Sequence, residues 1–177
     1  MTDATPATPP TGSAVGRFFR RHAGEFAFFV VALVGLHLWQ TRGLASGPLP
    51  ATELTTLDGT AVRVGEAGQG PMVLHFWATW CGVCRAEEGN VVELSRHARV
   101  VTIATQSGSG RKVAAYLAQR GVDFPVVVDE GGELARRFGV DKFPTTFFLD
   151  DDGQVASAEV GYTSAWGMRL RSWWSRW

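Results

Sequence analysis

Two cysteines are all this chain has, and both lie in one four-residue window, Cys81-Gly82-Val83-Cys84. No disulfide can therefore tie distant parts of the fold together. The chain must hold itself by a hydrophobic core, not by the bridges of a small secreted scaffold. It has the material: 45% of its 177 residues are hydrophobic and 11% are aromatic. With a net charge of zero, that composition also excludes a wholly disordered chain. The balance of 17 Lys+Arg against 17 Asp+Glu excludes a nucleic-acid binder working through overall positive charge.

The zero net charge is unevenly distributed. Arg17, Arg20 and Arg21 face only Asp3 within residues 1–24, ahead of the apolar run Phe26–Leu36. Residues 1–16 are mostly Thr, Pro, Ala and Gly, which cannot bury enough surface to offset their ordering entropy. We expect residues 1–23 to be a disordered basic cytoplasmic tail and 24–43 a transmembrane signal anchor. Gly24–Thr41 lies at the low end of the roughly 17–25 residues a span needs. Glu25 then sits at the headgroup level and Trp39 at the opposite interface. The Arg excess keeps the N-terminal side in the cytoplasm. A cleaved signal peptide is the alternative, with small residues at Gly43 and Ala45 for a peptidase to read. A buried core helix is a third. Residues 44–52, with Ser46-Gly47-Pro48-Leu49-Pro50, read as a short stiff linker.

Residues 53–177 read as one α/β domain. Glu53–Val64 alternates around Asp58-Gly59, a hairpin signal. Met72–Trp77, Val100–Ala104, Phe124–Val128 and Thr145–Leu149 have strand length and composition. Asp150–Gly153 turns into a further strand at Gln154–Glu159. Arg85–His97, Arg111–Arg120 and Glu133–Phe138 are helical, Gly121 is placed as a left-handed stop, and Ser164 caps a last helix. Strands alternating with helices imply βαβ units, closed by an antiparallel hairpin.

The cysteine pair falls between the strand ending at Trp77 and the helix at Arg85. Unpaired backbone N–H groups and the dipole at a helix start stabilise an anion. A thiolate there has a lowered pKa and is a better nucleophile and leaving group. Two intervening residues let Cys84 reach back across one turn, so Cys81 is the exposed attacking sulfur and Cys84 the buried resolving one. Three other readings compete. Structural zinc needs four ligands, and only His75 and His97 lie in this domain. A redox-inert pair and a copper site using both thiols and one His are the others.

Phe76-Trp77-Ala78-Thr79-Trp80-Cys81-Gly82-Val83-Cys84-Arg85-Ala86-Glu87 resembles the active-site segment of thioredoxin-fold proteins, above all the exported, membrane-anchored group with the TlpA and ResA-like reductases. Gly139–Gly153, with Phe143-Pro144-Thr145-Thr146, resembles the second signature of that family. The resemblance spans about Ala51–Trp177. The short anchored form and Cys84-Arg-Ala-Glu-Glu-Gly89 look most like the suppressor-of-copper-sensitivity D-type oxidoreductases. The resemblance implies a thioredoxin-like fold, a central mixed sheet flanked by helices, following an N-terminal transmembrane helix. It implies a cis Phe143–Pro144 peptide beside the sulfurs, with the Phe143 backbone free to pair with an extended substrate; read without the family, Pro144 is a trans residue starting an edge strand.

His75 occupies the position of the buried acid of thioredoxins, where an imidazole can shuttle the Cys84 proton. A backbone-satisfied buried histidine is the bland alternative. Glu87 matches a glutamate that tunes the thiols in the reductase group, although it and Glu88 also read as solvated charges. Trp80 reads as a partner-contact surface, or as packing. Gly82-Val83 replaces the proline many members carry between the cysteines. Thr145-Thr146 stands where cytochrome c maturation reductases place an acid, which demotes that role. Trp166, Leu170, Trp173, Trp174 and Trp177 form a helical stripe that we expect to be core packing, with a Trp/Arg face (Arg169, Arg171, Arg176) resting on a membrane as the alternative. The expectation is thus a single-pass protein of the bacterial inner membrane with its catalytic domain in the periplasm. It exchanges disulfides with protein thiol/disulfide substrates and is reset by a membrane thiol relay or oxidase, with no cofactor, metal or nucleic acid.

Overall fold

The structure, a computed structural model, describes residues 14–175, and side chains from residue 22 onward. Residues 1–13 of the expected tail, and Arg176 and Trp177, lie outside the described residues. The chain divides after Gln40 into two units. The first is helix α1, Ala14–Gln40, which starts inside the stretch expected to be a disordered tail. The prolines behind that expectation end at Pro10, and Arg17–Ala23 contains neither Gly nor Pro to oppose a helix. His22–Gln40 has a mean hydropathy of 1.5, and none of it is buried. It is long and apolar enough to cross a membrane, a test a signal sequence also passes.

The second unit is built on β4, Met72–Trp77, whose six residues are all buried. It pairs in parallel with β5, Arg99–Thr105, and antiparallel with β7, Thr145–Leu149. β6, Val126–Asp129, extends the parallel side, while β8, Gln154–Val160, extends the other. With β1, Gly47–Pro48, at its far edge, the sheet is mixed and six-stranded, in the order β1-β8-β7-β4-β5-β6. The βαβ crossovers run through α2, Gly82–Ser95, and α3, Gly110–Arg120, as the alternation of strands and helices predicts. Gly121 stops α3 in the left-handed region at φ 63°. β2, Thr52–Thr55, and β3, Ala61–Val64, form the expected hairpin as a separate two-stranded sheet, with Gly59 at φ 87° in its turn.

Alternation along β4 sorts the core into two sides. Met72, Leu74 and Phe76 join Ile103, Phe147 and the short helix α4, Glu133–Arg137, through Leu134 and Ala135. Val73 and Trp77 join Val91, Leu94, Val113 and Met168 on the side of α2 and of α5, Ala165–Trp174. Each fully buried side chain such as Phe147 or Leu74 stabilises the fold by about 1.5–3 kcal/mol.

Two expectations need correction. Part of 44–52, expected to be a short stiff linker, belongs to the sheet and its core. Gly47–Pro48 is β1, paired antiparallel with Gln154 and Val155, and a proline is tolerated there because β1 is an edge. Leu44, Ala45 and Leu49 pack on the core, and Ala45 N–H donates to Phe138 O at 2.9 Å. Gly139, at φ 70°, makes this approach possible: a Cβ there would lie 1.9 Å from Gly43 O. The second correction concerns α5. Ser164 caps it, accepting from Gly167 N–H at 3.2 Å, but its buried residues are Met168 and Ser172. Trp166, Leu170, Trp173 and Trp174 are exposed rather than core.

Candidate active site

The chain leaves β4 through a turn in which Cys81 N–H donates to Ala78 O at 3.1 Å. Cys81 then caps α2 with extended backbone (φ −82°, ψ 114°). Its Sγ accepts from Cys84 N–H at 3.1 Å, so one of the unpaired donors of the first turn is aimed at this sulfur. Cys81 and Cys84 are joined in a disulfide. Cys81 is 8% exposed and Cys84 2%. Cys81 is thus the more accessible sulfur, but more enclosed than the expected exposed nucleophile.

The segment before β7 approaches from the other side. The Phe143–Pro144 peptide is cis, and Phe143 O lies 3.6 Å from Cys81 Sγ. The rings of Trp80 and Phe143 meet edge to face at 5.7 Å, and 59% of Trp80 remains exposed. Its indole N–H donates to Gln106 O at 3.1 Å. Thr79 N–H donates to Ser107 Oγ at 3.0 Å, and Ser107 Oγ–H donates to Thr105 O. Gln106 and Ser107 lie in a polar, glycine-rich loop whose residue types give no sign of this role. The available signal was its position at the carboxyl end of a parallel strand, where open α/β sheets place their sites.

Beneath the disulfide, His75 and Glu87 are both buried. His75 is on β4 facing α2, and its Nδ1 is 2.9 Å from Thr146 Oγ1. Its Nε2 is 4.0 Å from Glu87 Oε2. Burial holds the imidazole pKa down to about 4, favouring the neutral ring. Glu87 lies one turn after Cys84. Its Oε1 accepts from Thr163 N–H at 2.6 Å, while Oε2 has no hydrogen-bond partner. Burial pushes its pKa up to about 7, against the lowering effect of the Thr163 N–H. The backbone-satisfied alternative for His75 is not what occurs, since its partner is a side chain. Thr146 and Thr163 were not singled out in the sequence as members of this network.

Glu88 is not solvated either. It accepts from the Tyr116 hydroxyl and, at 2.9 Å, from Arg120 Nε. Burial, then the hydrogen bond to Glu88, pushes the Tyr116 pKa up to about 12. This triad ties α2 to α3. Among the described residues, no group of three or more His, Cys, Asp and Glu is placed to hold a metal.

The Redoxin family profile matches residues 44–166, more than half of the chain. The chain belongs to the Redoxin family. A thioredoxin-like protein of Haemophilus influenzae is 33% identical over 67% of this redoxin and 71% of its own length. Sporulation thiol-disulfide oxidoreductase A of Bacillus subtilis is 25% identical over 81% of this redoxin and 92% of its own length. Among solved structures, a thiol:disulfide interchange protein DsbE of Chlorobium tepidum superimposes with a TM-score of 0.64 at 26% identity, covering 75% of this redoxin and 98% of that chain. The expected thioredoxin-like fold is therefore present, and this redoxin is a thiol-disulfide oxidoreductase of the ResA and DsbE type.

Proposed function

We propose that this redoxin domain is held outside the cytoplasmic membrane of a bacterium by α1 and exchanges disulfides with proteins through Cys81 as attacking and Cys84 as resolving sulfur. The observation that carries the assignment of roles is the Cys84 N–H aimed at Cys81 Sγ at the start of α2, the environment that stabilises a thiolate. In the reducing direction, Cys81 thiolate attacks a substrate disulfide. One substrate sulfur leaves as a thiolate and takes a proton, and a mixed disulfide forms. Cys84 thiolate then attacks Cys81 Sγ, closing Cys81–Cys84 and releasing the second substrate sulfur. The substrate gains two electrons and two protons. The oxidising direction runs the same steps backwards, and a membrane thiol relay or oxidase resets the pair. Trp80 and Phe143 form the wall against which the partner rests, with the backbone beside Pro144 pairing with its extended chain. His75 and Glu87 tune the proton balance beneath Cys84.

The test is capture. The full chain with Cys84→Ala should accumulate mixed disulfides with exported proteins, all lost when Cys81→Ala is added. A copper module would trap none and would instead hold Cu(I) against a chelator. A cytochrome c maturation reductase would trap apocytochromes alone. Failure to trap any exported protein contradicts the proposal.

A further inference from the structure

Glu87 is buried, and its Oε2 has no hydrogen-bond partner among the described residues. The other carboxyl oxygen, Oε1, already accepts from Thr163 N–H at 2.6 Å. An acid proton on Glu87 therefore belongs on Oε2, because Oε1 faces a donor. Oε2 in turn looks across 4.0 Å at His75 Nε2. That gap is too long for a hydrogen bond, and about 1 Å of side-chain movement closes it. The other ring nitrogen is held, since Nδ1 lies 2.9 Å from Thr146 Oγ1.

Each state of Glu87 calls for a different tautomer of the neutral imidazole. With Glu87 protonated, Oε2–H points at Nε2, which must be the bare nitrogen. Nδ1 then carries the ring N–H and donates to Thr146 Oγ1. With Glu87 ionised, Nε2–H faces the carboxylate, Nδ1 is bare and Thr146 Oγ1–H donates to it. A hydroxyl serves both states without moving, because one oxygen both donates and accepts. Any other arrangement leaves a buried polar group unpaired, which costs stability. We propose that Thr146 is a positioning residue of the disulfide-exchange site, whose hydroxyl lets His75 change tautomer as Glu87 gains or loses its proton.

The consequence falls on the resolving step, and so rests on the reading of Cys84 as the resolving sulfur. Glu87 follows Cys84 by one turn of α2, and both are buried. A carboxylate there disfavours the Cys84 thiolate. Without the Thr146 hydroxyl, the tautomer with Nδ1–H leaves a buried donor unpaired, so Nε2–H is favoured in both states of Glu87. Nε2–H facing Oε2 favours the carboxylate. Glu87 then ionises at lower pH, and Cys84 becomes a thiolate only at higher pH. The surrounding groups leave this arrangement to Thr146. Thr102, opposite His75 on β5, gives its hydroxyl to Pro125 O at 3.0 Å. Glu159, opposite Thr146 on β8, is paired with Arg171 at 2.6 Å. Glu88 is paired with Arg120 at 2.9 Å, and α5 brings Met168 to this side.

The experiment follows the ring-nitrogen resonances of His75 in the full chain, in detergent and with the disulfide closed, from about pH 5 to 9. The resonances are assigned by their loss in His75→Asn. The carboxyl infrared band lost in Glu87→Gln dates the Glu87 titration. In the wild type the ring proton is expected to pass from Nδ1 to Nε2 as Glu87 ionises. Thr146→Val should keep it on Nε2 throughout, and Thr146→Ser should restore the exchange. In a second measurement the reduced protein reacts with 5,5′-dithiobis(2-nitrobenzoate), and release of the second thionitrobenzoate reports attack of Cys84 on the mixed disulfide at Cys81. The pH midpoint of that release should rise in Thr146→Val by up to about one unit, the scale of one buried hydrogen bond. A single tautomer across the wild-type titration overturns the proposal, and decides it even where the valine variant is unstable. Exchange retained in Thr146→Val, or an unchanged release midpoint, also overturns it. A wild type that releases no second thionitrobenzoate contradicts the role of Cys84 itself, a failure told apart because the tautomer exchange is read with the disulfide closed.

Discussion

Replacing Cys81 with Ala is expected to lower catalysed reduction of a protein disulfide by about three orders of magnitude or more, to the uncatalysed background. Cys81 is the sulfur that receives the α2 N–H and the one beside Phe143 O. Nothing else in the chain can replace it, because its only other thiol is Cys84, which is almost fully buried. Cys84→Ala is expected to behave differently. It keeps the first attack but cannot close the ring, so a single turnover leaves the substrate attached while steady turnover fails. A turbidity assay of disulfide reduction, run beside mass spectrometry of the enzyme, checks both. Equal residual turnover in the two variants would contradict the separate roles.

The second large effect concerns the buried pair. Glu87 has its pKa raised by burial to about 7. Its contribution to stability is full below its unfolded value of 4.5 and is lost as pH rises through 7. His75 has its pKa lowered to about 4. Its contribution is present above 6.5 and is lost as pH falls through 4. Each shift corresponds to about 3 kcal/mol. Between pH 4.5 and 6.5 the two have opposite slopes, so together they leave the wild-type stability nearly flat. Removing one partner exposes the other. In Glu87→Gln, stability should climb by about 3 kcal/mol from pH 4 to 6.5. In His75→Asn, it should fall by about 3 kcal/mol from pH 4.5 to 7. Urea unfolding across this range checks both signs, and parallel profiles in the two variants would contradict the assignment.

The parts of this fold that were legible in the sequence are those set by local chemistry. The Asp58-Gly59 turn, the Gly121 stop and the Ser164 cap each depend on a few adjacent residues, and each occurs where expected. The cysteine pair announced its own position, because a strand and a helix can be read on either side of it. What failed depends on contacts between distant segments. Trp166, Leu170 and Trp174 have the same helical period as Met168, Ser172 and Ser175, and periodicity alone cannot say which face meets α2. Hydrophobicity pointed to the wrong one. Gly47-Pro48 lacks the signature of a strand, and it becomes one only because β8 offers an open edge. Glu87 and Glu88 are adjacent acids with different fates. Glu87 turns toward β4 and His75, and Glu88 toward Tyr116 and Arg120. Only the position of α2 over the sheet separates them.

The central claim is that Cys81 carries the stabilised thiolate. The most direct measurement reduces the protein, removes the reductant and follows alkylation of each cysteine by iodoacetamide as a function of pH, with the sites located by mass spectrometry. The account predicts that Cys81 is modified well before Cys84, with a midpoint below the roughly 8.5 of a free thiol. Modification of Cys84 first, or a Cys81 midpoint at or above that of a free thiol, would contradict it.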